Sequence, residues 1–321
     1  MPRLRVLVTQ PLPGPALSRL RQSFLVDLNR SGRSLTSAEI RRRIGRAHGL
    51  LCLPSDRIDE SILARAPHLK GIANCAVGVD NIDLWEAQRR GIIVTNTPGV
   101  LTAATADLTW ALILAVTRRI VEGDRLVRRR QFAGWSPTLL LGRSLEGKSL
   151  GVIGMGRIGR AVASRAQAFS MKVSYCSRSP LSPREERRLG ARRLPLRKLL
   201  GVADVLTIHL PSTPSTRNLI GRTELGSMKR GSFLVNTSRG DIVDESALIA
   251  SLRSGHLSGA GLDVYAREPR IPAELLRMEQ TVLLPHIGSA SVETRIAMAS
   301  LAASNLTAVL RGRRPANAIR S

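Results

Sequence analysis

Short β-branched and aliphatic runs alternate along this chain with longer stretches whose apolar residues recur at helical spacing. In the first third, strands are expected over residues 5–9, 50–53, 71–76 and 92–95. Helices are expected over 14–23, opened by prolines, and over 36–47, opened by a Ser/Thr start signal. A second set begins at Ser149, with strands over 150–153, 173–176, 205–210, 233–236, 261–264 and 282–284 and a helix over 157–169. A long helix over 101–121 lies between the sets, a natural connector. The stretch Val292–Leu310 is helical in pattern and ends at Gly312; with no strand of its own, it is expected to pack back on the first set. Strand–helix alternation of this kind predicts an α/β chain of two doubly wound parallel-sheet domains. The longest apolar run, 108–116, is bracketed by Asp107 and Arg118 and is too short for a bilayer, so no membrane partner is expected.

A length of 321 residues suits two domains, and 43% apolar residues suffice for proper cores. Aromatics are only 3%, so those cores must be aliphatic. The net charge is +25, and of the 49 basic residues five are lysines. Such a balance fits either an acidic macromolecular partner or an arginine bias spread over solvated faces. No aromatic residues interleave the basic runs at 41–43, 128–130 and 184–193, so these are expected on outer helix faces or loops, and no specific nucleic acid is implied. The field still draws in anionic substrates and a phosphorylated cofactor. Cys52, Cys75 and Cys176 are odd in number and form no CxxC or Cys/His cluster, which predicts reduced thiols in a cytoplasmic protein and no metal site. The chain enters a strand-like run almost at once, so no signal peptide is expected.

Gly154-Met155-Gly156-Arg157-Ile158-Gly159 follows an apolar strand and opens a helix, the context in which this glycine pattern holds a dinucleotide. The first glycine permits the tight turn, Gly156 lets backbone approach the pyrophosphate, and Gly159 lets helix and strand pack closely. Free N–H groups at the helix start, at Arg157 and Ile158, face the phosphates. The bland alternative is a glycine-rich turn without a ligand. At the end of the next strand stands Ser177-Arg178-Ser179 in place of the acid that takes the ribose hydroxyls of NAD. A guanidinium and two hydroxyls suit a 2′-phosphate, so NADPH is expected to be preferred, with NADH possible. Against this, Arg178 could be one more surface arginine.

Reducing a ketone by hydride leaves an alkoxide that needs a proton, and histidine is the usual donor. His286 lies in Leu284-Pro285-His286-Ile287-Gly288, just past an expected strand, at the edge where open α/β sheets place ligands. His48, His68, His209 and His256 are read as structural. Glu268 can fix the His286 tautomer and favour its protonated form. Arg239, after Asn236-Thr237-Ser238, can grip an α-carboxylate with both nitrogens of its fork.

The chain resembles the D-isomer-specific 2-hydroxyacid dehydrogenase family along nearly its whole length. The resemblance rests on Ala76-Val77-Gly78-Val79-Asp80-Asn81-Ile82-Asp83, Asn96-Thr97-Pro98-Gly99, the glycine motif, Val235-Asn236-Thr237-Ser238-Arg239-Gly240, Gly261-Leu262-Asp263-Val264 through Glu268-Pro269, and Pro285-His286-Ile287-Gly288. It implies that Arg239 binds substrate, Glu268 supports the histidine and His286 is the acid/base. It also implies that backbone N–H groups of Val77 and Gly78 hold the substrate carboxylate as an anion nest. Asp263 is implied near the nicotinamide carboxamide and Thr105 near the phosphates, with Thr237, Ser238 and Gly288 also on the cofactor. The family architecture implies a discontinuous flavodoxin-like substrate domain, 1–100 plus 287–321, a Rossmann cofactor domain over 101–286, a cleft between them, and a homodimer through the cofactor domain.

Within the family the chain is most similar to the glyoxylate and hydroxypyruvate reductases, on residues 97–102, 105–108 and 134–142 and on Ser177-Arg178-Ser179. Trp135 lies in a loop that in some relatives reaches the partner's active site. Phosphoglycerate dehydrogenases share the triad but often carry a further C-terminal domain, and this chain ends soon after His286. Formate dehydrogenases have glutamine where Glu268 stands. Two alternatives remain at this level: another D-2-hydroxyacid dehydrogenase, acting on phosphoglycerate or bulkier keto acids, or a non-catalytic dinucleotide-sensing corepressor. The side-chain preference of the substrate pocket is expected to be set by the loops near Leu53 and Pro54, with the Trp135 loop of a partner subunit as a further candidate.

Overall fold

A computed structural model describes residues 3–319. The chain forms two compact units, one running to Leu101 and resuming at Ser289, the other Thr102–Gly288.

The first unit is built on β1 (Arg5–Val8), β2 (Leu25–Leu28), β3 (Gly49–Cys52), β4 (Gly71–Asn74) and β5 (Ile93–Thr95), all parallel, in the order β2-β1-β3-β4-β5. This is the flavodoxin-like order, whose switch point lies between β1 and β3. Helices α1 (Ala16–Ser23), α2 (Ser37–Ile44), α3 (Glu60–Leu63) and α4 (Leu84–Arg89) connect the strands. Thr36 and Glu39 close a capping box at the start of α2, which satisfies two orphan donors there. All four residues of β3 and of β4 are buried, as strands covered on both faces must be. The helix Val292–Leu310 lies on this sheet: a Cβ on Gly71 would come 2.6 Å from Val309, and one on Gly49 3.0 Å from Leu310. The sequence pattern misses β2, because Leu25–Leu28 is an edge strand with no buried residue and an acid in its middle.

The second unit begins with α5 (Thr102–Thr117) and α6 (Ile120–Arg128). The single helix expected over 101–121 is thus two, parted at Arg119, which takes the left-handed conformation at φ 54°. Nor is α5 a free connector; it belongs to the second unit and beds on strand glycines, with Gly259 beneath Val116 and Gly261 beneath Leu112. Then follow β6 (Ser149–Ile153), α7 (Arg157–Ala166), β7 (Lys172–Cys176), α8 (Pro183–Leu189), β8 (Ala191–Arg193), α9 (Leu196–Val202), β9 (Val205–Ile208), α10 (Arg222–Gly226), β10 (Ser232–Asn236), α11 (Glu245–Arg253), β11 (Leu257–Leu262), α12 (Ala273–Arg277) and β12 (Thr281–Leu283). The seven strands are parallel in the order β12-β11-β10-β9-β6-β7-β8. This is the Rossmann arrangement with an extra strand, and its switch point lies between β6 and β9. The basic run 184–193, expected as helix face or loop, is α8 followed by an edge strand that pairs with β7, Tyr175 opposite Arg193. Both sheets fit the α/β, doubly wound expectation. No helix among the described residues is long and apolar enough to cross a membrane.

Candidate active site

The glycine turn lies at the switch point of the second sheet. Gly154 has φ 91°, and a Cβ there would lie 2.4 Å from the His209 carbonyl oxygen. At Gly159 a Cβ would lie 2.0 Å from the Gly154 carbonyl oxygen. Both positions therefore need glycine for packing alone. Gly156 differs: its φ is −74° and a Cβ would meet nothing within 4 Å. Neither backbone nor packing asks for glycine there, but a pyrophosphate lying against the turn does. Arg157 and Ile158 open α7, whose first N–H groups receive no side-chain cap from Gly156. The residues present fit a dinucleotide. Beyond β7, Ser177 is half-buried and Arg178 and Ser179 are exposed.

Arg239, Glu268 and His286 all belong to the second unit, and local packing brings them together. Asn236, the last residue of β10, takes hydrogen bonds on its side-chain oxygen from the Ser238 N–H (3.0 Å) and hydroxyl (2.8 Å), and donates to the Arg239 carbonyl (2.8 Å). This asparagine turn fixes the backbone that carries Arg239. Gly240 then presses on the next connection: a Cβ there would lie 1.9 Å from the Tyr265 carbonyl carbon. The close approach sets the Arg239 turn beside the segment that leads to Glu268. Thr237 is buried with its hydroxyl 2.9 Å from that of Thr109, and Arg239 is half-buried.

The Glu268 carboxylate accepts from the Tyr265 N–H (3.0 Å) on one oxygen and lies 2.8 Å from His286 Nδ1 with the other. Tyr265 in turn donates its hydroxyl to the Leu284 carbonyl at 3.0 Å, tying the Glu268 segment to the strand end that carries His286. Burial pushes the Glu268 carboxyl up, but the hydrogen bond and charge of His286, the Tyr265 N–H and the Arg239 guanidinium together hold it below its ordinary value. It is therefore ionised at neutral pH. With Nδ1 engaged by the carboxylate, Nε2 is the ring nitrogen left for chemistry. The two side chains keep 37% and 35% of their surface open, enough for a small molecule to reach them.

His286 itself has φ 56°, a strained conformation for a non-glycine residue. Asp263 holds the turn: its two carboxylate oxygens accept from the Ile287 and Gly288 N–H groups, each at 2.7 Å. A Cβ on Gly288 would lie 3.1 Å from Asp263 and 3.6 Å from Thr105, so these three expected cofactor residues share one spot. Burial raises the Asp263 carboxyl despite those bonds. Asp263 falls just past β11, not inside a strand.

In the first unit, Val77 and Gly78 lie in the loop after β4. Their carbonyls are tied down, Val77 by the Asn96 amide (2.8 Å) and Gly78 by the Asn74 amide (2.8 Å). Neither backbone N–H bonds an acceptor among the described residues. Asn74 also donates to Asn81 (2.9 Å), and Asn81 donates to the carbonyls of Leu53 (3.1 Å) and Asp56 (2.9 Å). Sequence reasoning gave no role to Asn74, Asn81, Asn236, Gly240 or Tyr265. Of these, only Asn236 carried a readable signal, an asparagine at a strand end before a turn.

The other histidines fit structural roles. Burial drives His209 down to about 3, so it stays neutral, and its carbonyl backs Gly154. His48 stacks on His68 at 5.9 Å and is lowered by burial. The three cysteines are free.

Comparison with known proteins gives the same picture. Residues 110–288 match the family model described as D-isomer specific 2-hydroxyacid dehydrogenase, NAD binding domain. The chain is 44% identical over 319 residues to a glyoxylate reductase of Thermococcus litoralis, covering 98% of this chain and 96% of that one. Among solved structures, a Thermus thermophilus protein superposes with a TM-score of 0.93 at 50% identity, covering 99% of this chain and all of that one. An NADPH-dependent glyoxylate/hydroxypyruvate reductase of Sinorhizobium meliloti, solved with NADP and malonate, superposes with a TM-score of 0.86 at 32% identity, covering 99% and 97%. A glycine turn shaped for a dinucleotide, a carboxylate–imidazole pair beside a guanidinium, and likeness along nearly the full chain agree: the protein belongs to the D-isomer specific 2-hydroxyacid dehydrogenase family.

Proposed function

We propose that this NAD(P)-dependent oxidoreductase reduces small 2-keto acids, glyoxylate and hydroxypyruvate, to 2-hydroxy acids of D configuration where the product is chiral, with NADPH as preferred cofactor. The observation that carries the proposal is the 2.8 Å pair of His286 and Glu268 beside Arg239.

A bound nicotinamide dinucleotide supplies the hydride. Gly156, Arg157 and Ile158 offer the approach and the N–H groups for its phosphates, while Gly154 and Gly159 make the turn possible. Asp263 stands at the nicotinamide carboxamide and Thr105 at the phosphates, with Thr237, Ser238 and Gly288 also on the cofactor. Arg239 binds the keto acid's carboxylate with its fork and polarises the keto oxygen. The N–H groups of Val77 and Gly78 bind carboxylate oxygen as well. His286 delivers a proton from Nε2 to the oxygen as it gains charge. Glu268, ionised, accepts from Nδ1–H, orients the ring and stabilises the charged form that carries the proton on Nε2. The assigned cofactor selectors are Ser177, Arg178 and Ser179, since no acid stands among them to repel a 2′-phosphate.

The second unit also carries exposed Ile120, Val127, Phe132, Trp135 and Leu141, with Trp135 84% open. So much apolar surface on one helix and the loop after it favours a homodimer through this unit. Three free cysteines fit a cytoplasmic enzyme.

The test is a panel of 2-keto acids assayed with NADPH and NADH, on the unaltered protein and on Arg178→Asp. Turnover of glyoxylate with a lower KM for NADPH, reversed in the variant, is expected. Equal use of both cofactors by the unaltered protein defeats the NADPH assignment; no turnover of any 2-keto acid defeats the reaction.

A further inference from the structure

The loop after β7 carries more of a selection device than Arg178. Arg193, the last residue of β8, stands opposite Tyr175 in the strand pairing. One of its guanidinium nitrogens, Nη2, donates to the carbonyls of both Ser177 and Arg178, each at 2.9 Å. The far end of the loop is pinned as well: the Tyr175 hydroxyl accepts from the Leu181 N–H at 2.8 Å and donates to Glu186 at 2.7 Å. Between these anchors Arg178 and Ser179 are exposed.

The nearby acids are occupied elsewhere. Glu185 caps α8 through Ser182 and pairs with Arg160 at 3.1 Å, and Glu186 is held by Tyr175. Among the described residues neither Arg178 nor Arg193 has a carboxylate partner, whereas Arg33, Arg43, Arg89, Arg119 and Arg165 each have one. Two guanidinium groups thus flank one short loop without neutralisation. Bare carbonyl oxygens would also repel a phosphate on this loop; both are turned to a donor instead.

We propose that Arg193 is a positioning residue for cofactor choice: by holding the Ser177 and Arg178 carbonyls it shapes the 177–179 loop to accept a 2′-phosphate. This rests on the NADPH reading above. It predicts that selectivity depends on a strand residue outside the loop that would touch the phosphate.

The test compares binding of adenosine 2′,5′-bisphosphate and 5′-AMP to the unaltered protein, Arg193→Ala and Arg193→Lys by calorimetry. Arg193→Ala is expected to weaken the bisphosphate about tenfold or more, as loss of charge-assisted hydrogen bonds does, and to leave 5′-AMP unchanged, which also shows that the fold is intact. Arg193→Lys should recover part of the loss. Removing Arg193 after Arg178→Ala should cost less than removing it alone, because the loop then has less to present. Equal binding of the two ligands by the unaltered protein overturns the NADPH reading and this proposal with it. A bisphosphate preference kept in Arg193→Ala, or 5′-AMP weakened equally, overturns the role of Arg193 alone.

Discussion

The two sheets share a winding rule but furnish their carboxyl edges in opposite ways. At the first sheet's switch point the edge is filled with polar side chains. Asp56 is buried and accepts from Leu53 and Thr9, Asn74 is fully buried, and Asn81 bonds two carbonyls. At the second sheet's switch point the edge is stripped: Gly154 and Gly159 let backbone touch backbone, and Gly156 leaves open space. A small carboxylate needs only a few N–H groups, aimed by amides that hold the carbonyls back. A dinucleotide needs room along a turn, which side chains would block. Edge chemistry, more than topology, would separate the two roles proposed above.

The strongest blow to this contrast falls on the stripped edge. Gly159→Ala places a methyl 2.0 Å from the Gly154 carbonyl oxygen, a clash with backbone that cannot relax by a rotamer change. A loss of about 1–3 kcal/mol or more in stability is expected, with cofactor binding lost as well. Thermal unfolding and a cofactor titration would show it; a variant as stable as the parent refutes the close packing. On the filled edge, Asn81→Leu removes the donor shared by the Leu53 and Asp56 carbonyls. Unsatisfied groups cost about 1–3 kcal/mol, and KM for the keto acid should rise while KM for the cofactor holds. An equal rise in both would erase the division of labour between the units.

A smaller effect sharpens the contrast, because the second unit relies on charge where the first relies on amides. Glu268 is held below the ordinary carboxyl value of 4.5. A lowered folded value means the pair's stabilisation is in place above the unfolded value and is lost as pH falls through the folded one. Glu268→Gln removes that acid-side dependence. It should also lower kcat for reduction, since the imidazole loses the carboxylate that orients it at 2.8 Å. An unchanged kcat would leave Glu268 a purely structural partner.

Much of this was legible in the sequence, for identifiable reasons. The glycine turn and the residues Arg239, Glu268 and His286 stand in local motifs beside strands with strong apolar signals, so their surroundings announce them. The helix Val292–Leu310 was readable to its ends from periodicity and Gly312. The edge strands β2 and β8 were not, because Leu25–Leu28 is short, buries no residue and is interrupted by Asp27, and Ala191–Arg193 is three residues with two exposed arginines. The break at Arg119 was hidden because apolar spacing continues across it. The Asn74–Asn81–Asp56 network left no trace: its bonds join residues 3 to 47 positions apart, and such pairing has no period.

The central claim is that His286 supplies the proton for keto-acid reduction at the Glu268–Arg239 site. Steady-state turnover of glyoxylate with NADPH by His286→Ala tests it most directly, beside the unaltered protein and with cofactor affinity measured separately. With cofactor binding retained, kcat should fall by roughly 100- to 10,000-fold. A His286→Ala enzyme that turns over at the parent rate would contradict it.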